Sequence, residues 1–197
     1  MYWWPVVGFG AMIVLGLAIG PEATPLDRWF WDVSGQVLGR HPLWMLLFNR
    51  VWVLVPLLLL AIGIAARRRQ WRLAVVVALC PVISIAGARL LKQLFDRPWP
   101  GDSLAYPSGH TTVAITVAGM LVLVIGVRVW TLALATIGAM LPSIGMASNH
   151  FHFITDIIGA TFYATAMVCL AVLAAGPDAL DRALGAKRQA ARVTDET

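Results

Sequence analysis

Val53-Leu54-Val55-Pro56-Leu57-Leu58-Leu59-Leu60-Ala61-Ile62-Gly63-Ile64-Ala65-Ala66 is an unbroken apolar run that stops at Arg67-Arg68-Arg69-Gln70-Trp71-Arg72. A run without a polar side chain offers no face to water. The arginines that end it are what a helix meets as it leaves hydrocarbon for a cytoplasmic surface. Taken back to Phe48, the segment 48–66 comes near the ~20 residues that cross ~30 Å of hydrocarbon. Working outward, comparable segments lie at 3–20, 73–91, 110–127, 129–147 and 153–175. The near-continuous stretch 110–147 is divided at Arg128, because no single helix of that length stays in one bilayer. The sequence therefore predicts an all-α integral membrane bundle of six transmembrane helices within residues 1–176. A short polar cytoplasmic tail, 177–197, amphipathic or disordered, follows Pro177, which is read as a helix stop.

The composition agrees: 59% of the 197 residues are hydrophobic and 13% charged, against about 45–50% apolar in a soluble domain. The mean hydropathy is +0.78. The net charge of +5 does not point to nucleic acid, since the basic residues fall between apolar runs and in the tail. With the N-terminus inside, Arg67, Arg68, Arg69, Arg72, Arg128, Arg182, Lys187, Arg188 and Arg192 are cytoplasmic. Arg28, Arg40, Arg50, Arg89, Lys92 and Arg97 are outside, and nine against six is the sense of the positive-inside rule. The first run is retained as a helix, because Met1-Tyr2-Trp3-Trp4 has no basic n-region and no small-residue cleavage site follows Gly20. Cys80 and Cys169 each stand alone in an apolar run, which suggests packing. Leu26-Asp27-Arg28-Trp29-Phe30-Trp31-Asp32-Val33 reads either as a helix in the headgroup layer or as an aromatic belt at a helix end.

Three polar stretches interrupt this apolar chain: Lys92 to Pro100, Tyr106 to Thr112, and Asn149 to Asp156. Ionisable groups at span ends are costly and usually purposeful, and the six-helix topology brings all three out on the outer side. Pro107-Ser108-Gly109 is a turn into a helix beginning near His110, so free backbone amides and the positive end of the helix dipole face any anion held there. The commoner reading of such a Ser-Gly pair is a simple cap. His110 beside a bound phosphate is placed to protonate a leaving oxygen. His152 and Asp156 are four apart, on one helix face, and a carboxylate on one ring nitrogen fixes the tautomer and raises the basicity of the other. The alternative is a His-Asp pair that only satisfies two polar groups. His150, six from Asp156, points elsewhere and belongs to the rim. Lys92 and Arg97 would stabilise phosphate oxygens, or else snorkel to the interface.

Taken in order, these residues resemble the phosphatidic acid phosphatase type 2 (PAP2) superfamily, whose pattern is Lys, six residues and Arg-Pro, then Pro-Ser-Gly-His, then Ser-Arg, five residues, His, three residues and Asp. The resemblance runs from about residue 45 to 175. Lys92, the motif Pro107-Ser108-Gly109-His110, and His152 with Asp156 match. It implies His152 as the nucleophile that forms a phosphohistidine, Asp156 as its orienter and His110 as the acid, with water releasing the phosphate and no metal or other cofactor required. Lys92, Arg97, Ser108 and Gly109 are the expected substrate-binding residues. Two departures stand out: the arginine of the first motif is Trp99, and the Ser-Arg of the third is Gly145-Met146. Arg97 or Arg89 would substitute.

The implied activity is hydrolysis of a lipid phosphate or pyrophosphate: a polyprenyl pyrophosphate, phosphatidic acid, phosphatidylglycerol phosphate or a lipid A phosphate. The site would face the exterior of a bacterial plasma membrane, or the periplasm. Two alternatives stay open. One is a lipid phosphotransferase, similar to sphingomyelin synthases in Ser108-Gly109-His110-Thr111 and His152 with Asp156; the other is a non-catalytic lipid-phosphate-binding relative. A zinc site from His110, His150, His152 and Asp156 is disfavoured, since no Cys or Glu completes a shell. The sequence leaves the oligomeric state open.

Overall fold

A computed structural model describes residues 2–39, 42–99 and 103–185. Each predicted apolar segment forms a helix: α1 (Trp4–Ala18), α3 (Val51–Arg67), α4 (Trp71–Phe95), α5 (Gly109–Ile125), α6 (Val129–Ser148) and α7 (Ile154–Ala175). Between α1 and α3 lie α2 (Pro25–Leu38) and a 3-10 helix, Leu43–Asn49, which continues into α3. Strands β1 (Pro98–Trp99) and β2 (Ser103–Leu104) pair antiparallel before α5. Among the described residues four segments are long and apolar enough to cross a membrane: Leu43–Arg67, α4, α6 and α7. At 1.5 Å per residue, α1 and α5 reach only about 22 and 25 Å, short of the ~30 Å hydrocarbon core.

Helix α5 is the hub, packed by α3, α4, α6 and α7. A helix surrounded in this way cannot present hydroxyls to water, and two of them, on Thr112 and Thr116, turn to its own backbone. Thr112 Oγ1 donates to Ser108 O at 2.9 Å and Thr116 Oγ1 to Thr112 O at 2.9 Å. The outer helices instead expose large apolar side chains, among them Leu59 and Leu60 of α3, Leu79 and Ile83 of α4, and Leu134 and Ile137 of α6. In water such a surface would drive aggregation; against lipid tails it is the solvent-matched surface.

The basic end does more than report topology. Arg68 Nη1 donates to Val124 O at 2.7 Å and Arg72 Nε to Ala174 O at 2.8 Å. These bonds satisfy last-turn carbonyls of α5 and α7 where the helix dipoles favour cations. Helix α7 ends at Ala175, with Gly176 (φ 91°) as its cap, and Pro177 starts a short further helix, α8 (Pro177–Leu184). Proline at the first helical position loses no hydrogen bond. Ala179 and Ala183 of α8 are buried in the core beneath α5 and α7. Arg40, Lys187, Arg188, Arg192 and the rest of the tail from 186 onward lie outside the described residues.

At the opposite end, the C-termini of α1, α4 and α6 meet the N-termini of α5 and α7. The fully buried Tyr106 ring is the wedge there, edge-on to Phe95 at 5.0 Å, with its hydroxyl donating to Met12 O. It fits because α7 carries Gly159: a Cβ at that position would lie 2.2 Å from the ring. Gly159→Ala is therefore expected to destabilise the protein by about 1–3 kcal/mol. A lowered thermal midpoint in detergent measures the effect, and a midpoint equal to the parent's would show that the wedge yields.

Candidate active site

A cleft of about 620 Å³ opens at this end, lined by Asn49, Arg89, Lys92, Trp99, Gly109, His110, Phe151 and His152 together with apolar residues of α3, α4 and α5. All three polar stretches of the sequence contribute to it or border it. Asp156 is the third residue of α7, and its Oδ2 accepts from Phe153 N at 3.0 Å, closing the start of the helix. The same oxygen lies 3.4 Å from His152 Nδ1. With Nδ1 turned to the carboxylate, Nε2 is the ring nitrogen left for chemistry. Asp156 O accepts from Ser108 N at 3.2 Å, which fastens the second motif to the third. The ring centroids of His110 and His152 stand 6.4 Å apart, with the planes inclined at 65°.

The remaining Asp156 oxygen is taken by Arg97. Arg97 Nη1 donates to Asp156 Oδ1 at 2.7 Å and to Thr155 Oγ1 at 2.8 Å, and Nη2 donates to Glu22 O at 2.9 Å and Asp27 Oδ2 at 3.3 Å. The guanidinium sits 3.9 Å from the Phe153 ring centroid, and Arg97 is only 3% exposed. This corrects the expectation that Arg97 meets substrate: it is behind the His-Asp pair, holding carboxylates, and does not line the cleft.

Asp27 is the residue that sequence reasoning missed. It is fully buried, although it comes from the segment read as interfacial. Its Oδ1 accepts from Thr155 N at 3.0 Å and Thr155 Oγ1 at 2.9 Å, and its Oδ2 accepts from Thr24 N at 2.8 Å in a capping box that starts α2. Burial pushes its carboxyl pKa up, but the donors from Thr155 and Thr24 together outweigh burial and hold it below the ordinary carboxylate value. The Thr24-Pro25-Leu26-Asp27 capping box was a readable helix start; its partner seventy residues on was not.

No family model and no curated protein matches the chain. A solved structure does: the first transmembrane PAP2-type phosphatidylglycerolphosphate phosphatase, from Bacillus subtilis, with a TM-score of 0.70 and 20% identity over 86% of this chain and 94% of that one. The chain has the PAP2 membrane phosphatase fold. It is an integral membrane protein, with four helices of spanning length and a transmembrane protein as its structural neighbour.

Against the PAP2 pattern, the other expected residues fall into place unevenly. Gly109 lines the cleft, and it and His110 supply the first amides of α5, which have no intrahelical acceptor. Ser108 is fully buried and caps α5, its Oγ accepting from Thr111 N at 3.5 Å, so the plain capping role is the one it fills. Lys92 lines the cleft while Nζ donates to Leu104 O and, at 3.2 Å, to Ala105 O. Trp99, at the PAP2 arginine position, stacks on His152 with centroids 6.1 Å apart and planes at 29°. Met146, at the other, is buried. Arg89 is exposed and lines the cleft, unlike Arg97. His150 packs on Trp31 of α2 at 4.7 Å. Among the described residues no group of three or more His, Cys, Asp or Glu side chains is gathered to hold a metal ion.

Removing Asp27 leaves the buried Arg97 guanidinium with Asp156 as its remaining carboxylate partner and takes the acceptor from Thr155 N and Thr24 N. Asp27→Ala should cost about 1–3 kcal/mol, and Asp27→Asn should lower the thermal midpoint by less. Because the folded pKa of Asp27 is depressed, its contribution is complete above its free value of about 3.9 and fades as pH falls through the folded value. Melting scans from pH 7 downward should show an acid loss in the parent that Asp27→Asn lacks. Superposable curves would contradict the assignment.

Proposed function

We propose that the chain is a lipid phosphatase of the PAP2 superfamily, hydrolysing a phosphate or pyrophosphate ester of a membrane lipid through a phosphohistidine at His152. The observation that carries this reading is the His152–Asp156 pair facing His110 across a cleft at the ends of apolar helices. In this reading all six apolar helices cross the bilayer, α1 and α5 with local thinning. The arginine-rich end is cytoplasmic, and the cleft faces the exterior or periplasm of a bacterial plasma membrane.

The steps follow from the groups present. His152 Nε2 attacks phosphorus and the P–O bond to the lipid breaks; Asp156 stabilises the positive charge that develops on the imidazole. The departing oxygen takes the proton of His110. His110, now neutral, removes a proton from a water molecule that attacks phosphorus. The P–N bond breaks, His152 is restored and phosphate leaves. Lys92, Arg89 and the first amides of α5 stabilise the equatorial oxygens. No step calls on a metal.

A second reading has a specific observation in its favour. Trp99, stacked on His152, makes its surroundings more apolar than the PAP2 arginine would, which favours a lipid hydroxyl over water as acceptor. The enzyme would then be a phosphotransferase.

The test is phosphate release by detergent-solubilised protein from phosphatidic acid, phosphatidylglycerol phosphate, undecaprenyl pyrophosphate and a lipid A phosphate, with EDTA present. His152→Ala should lower the rate at least about a thousandfold, and Asp156→Asn about 10²–10⁴-fold with KM little changed. Wild-type rates in His152→Ala would overturn the nucleophile. Transfer to an added lipid hydroxyl without phosphate release would favour the second reading.

A further inference from the structure

Asn49 ends the 3-10 helix and lines the same cleft as His110, His152, Lys92 and Arg89. It is 7% exposed, and both side-chain polar atoms, Nδ2 and Oδ1, are buried without a hydrogen-bond partner among the described residues. Buried amides are normally satisfied, so one left open at a cleft wall is an exception that needs an explanation. The ordinary explanation, a helix-end cap, does not apply: at this junction the backbone N–H of Arg50 reaches Leu47 O, and the Asn49 side chain takes no part. Arg50 itself is exposed, with its guanidinium 5.5 Å from the Trp52 ring centroid.

What brings Asn49 here is one of the two departures from the PAP2 pattern. The 3-10 helix packs on α6 where the chain has Gly145 in place of the pattern's serine. A Cβ on Gly145 would lie 2.6 Å from Met45 Cβ, an atom fixed to the backbone that cannot swing aside. The bare glycine therefore admits the 3-10 helix, and four residues after Met45 that helix delivers Asn49. The adjacent Met146, buried where the pattern has arginine, sends no cation into the cleft from α6.

We propose that Asn49 is a substrate-binding residue, its amide donating to a phosphoryl oxygen of the lipid headgroup in place of the arginine lost from α6. The proposal rests on the reading of the cleft as a lipid phosphate site and adds the residue that replaces its missing donor. A neutral amide gives direction without charge, and Lys92 and Arg89 remain to supply the charge. The coupled change is one exchange: serine to glycine opens the space, arginine to methionine removes the old donor, and the 3-10 helix brings the new one.

The experiment uses the full-length protein in detergent, carrying His152→Ala to prevent turnover, and two probes: dioctanoyl phosphatidic acid and dioctanoylglycerol, which lacks the phosphate. Asn49→Ala should weaken phosphatidic acid binding about tenfold and leave dioctanoylglycerol unchanged. Asn49→Asp, isosteric but repelling the headgroup, should weaken it further at pH 7.5 and recover as the pH is lowered through the carboxyl pKa, a response that a merely structural side chain would not give. Gly145→Ser should reproduce the Asn49→Ala loss and add nothing to it in the double variant. With His152 intact, Asn49→Ala should raise KM about tenfold with kcat within about twofold. Unchanged phosphatidic acid affinity in both Asn49 variants, or an equal loss for dioctanoylglycerol, overturns the proposal. Asn49-dependent binding by a protein that releases no phosphate from any lipid would sustain Asn49 and overturn hydrolysis; no binding by the parent would overturn both.

Discussion

A guanidinium taken out of water must be paired, and Arg97 is paired on both sides, with Asp27 at 3.3 Å and Asp156 at 2.7 Å. That one constraint joins three parts of the chain: α2 through Asp27, the β1 approach through Arg97, and the start of α7 through Asp156 and Thr155. It also fixes the geometry of the His-Asp pair. With Oδ1 held by Arg97 and Oδ2 by Phe153 N, the Asp156 carboxylate is restrained from rotating away from His152, and the imidazole takes its orientation from a network behind the cleft lining.

The bundle divides its labour by end. At one end arginines close helix carbonyls and α8 seals the core; at the other, helix N-termini and buried polar side chains surround the cleft. Between them the surface is apolar and the interior sets many alanines beside larger Leu, Val, Met and Tyr side chains, as in a bundle whose helices associate by close packing. The same close packing decides where new elements can enter. Gly159 admits the Tyr106 ring, and Gly145 admits the 3-10 helix. In each case a missing Cβ determines which residue stands at the site.

Much of this was legible in the chain. The apolar runs marked each long helix to within a few residues, because a segment with no polar face has few alternatives in a bilayer. His110, His152 and Asp156 were readable as a group because their local spacing and order are themselves the signal. Arg97 was read as a phosphate ligand and proved to be a buried counterion, since an arginine before a proline at a span end carries no mark of the direction in which it turns. Asp27 went unnoticed because its partners are 70 and 128 residues away and its neighbours are tryptophans of an interfacial type. Gly145 was visible only as a lost serine; the space it creates is a property of packing. Pro177 marked the stop of α7, and the short helix that begins on it was not read, since proline serves equally well as a first helical residue.

The central claim is that phosphorus becomes bonded to His152. It is tested most directly by mixing the enzyme with lipid phosphate labelled at phosphorus, quenching in alkali within a turnover, and locating the label by peptide mass. The account predicts an alkali-stable, acid-labile phosphate on the peptide carrying His152, absent from His152→Ala. Turnover with no label on the protein, or label on another residue, would contradict it.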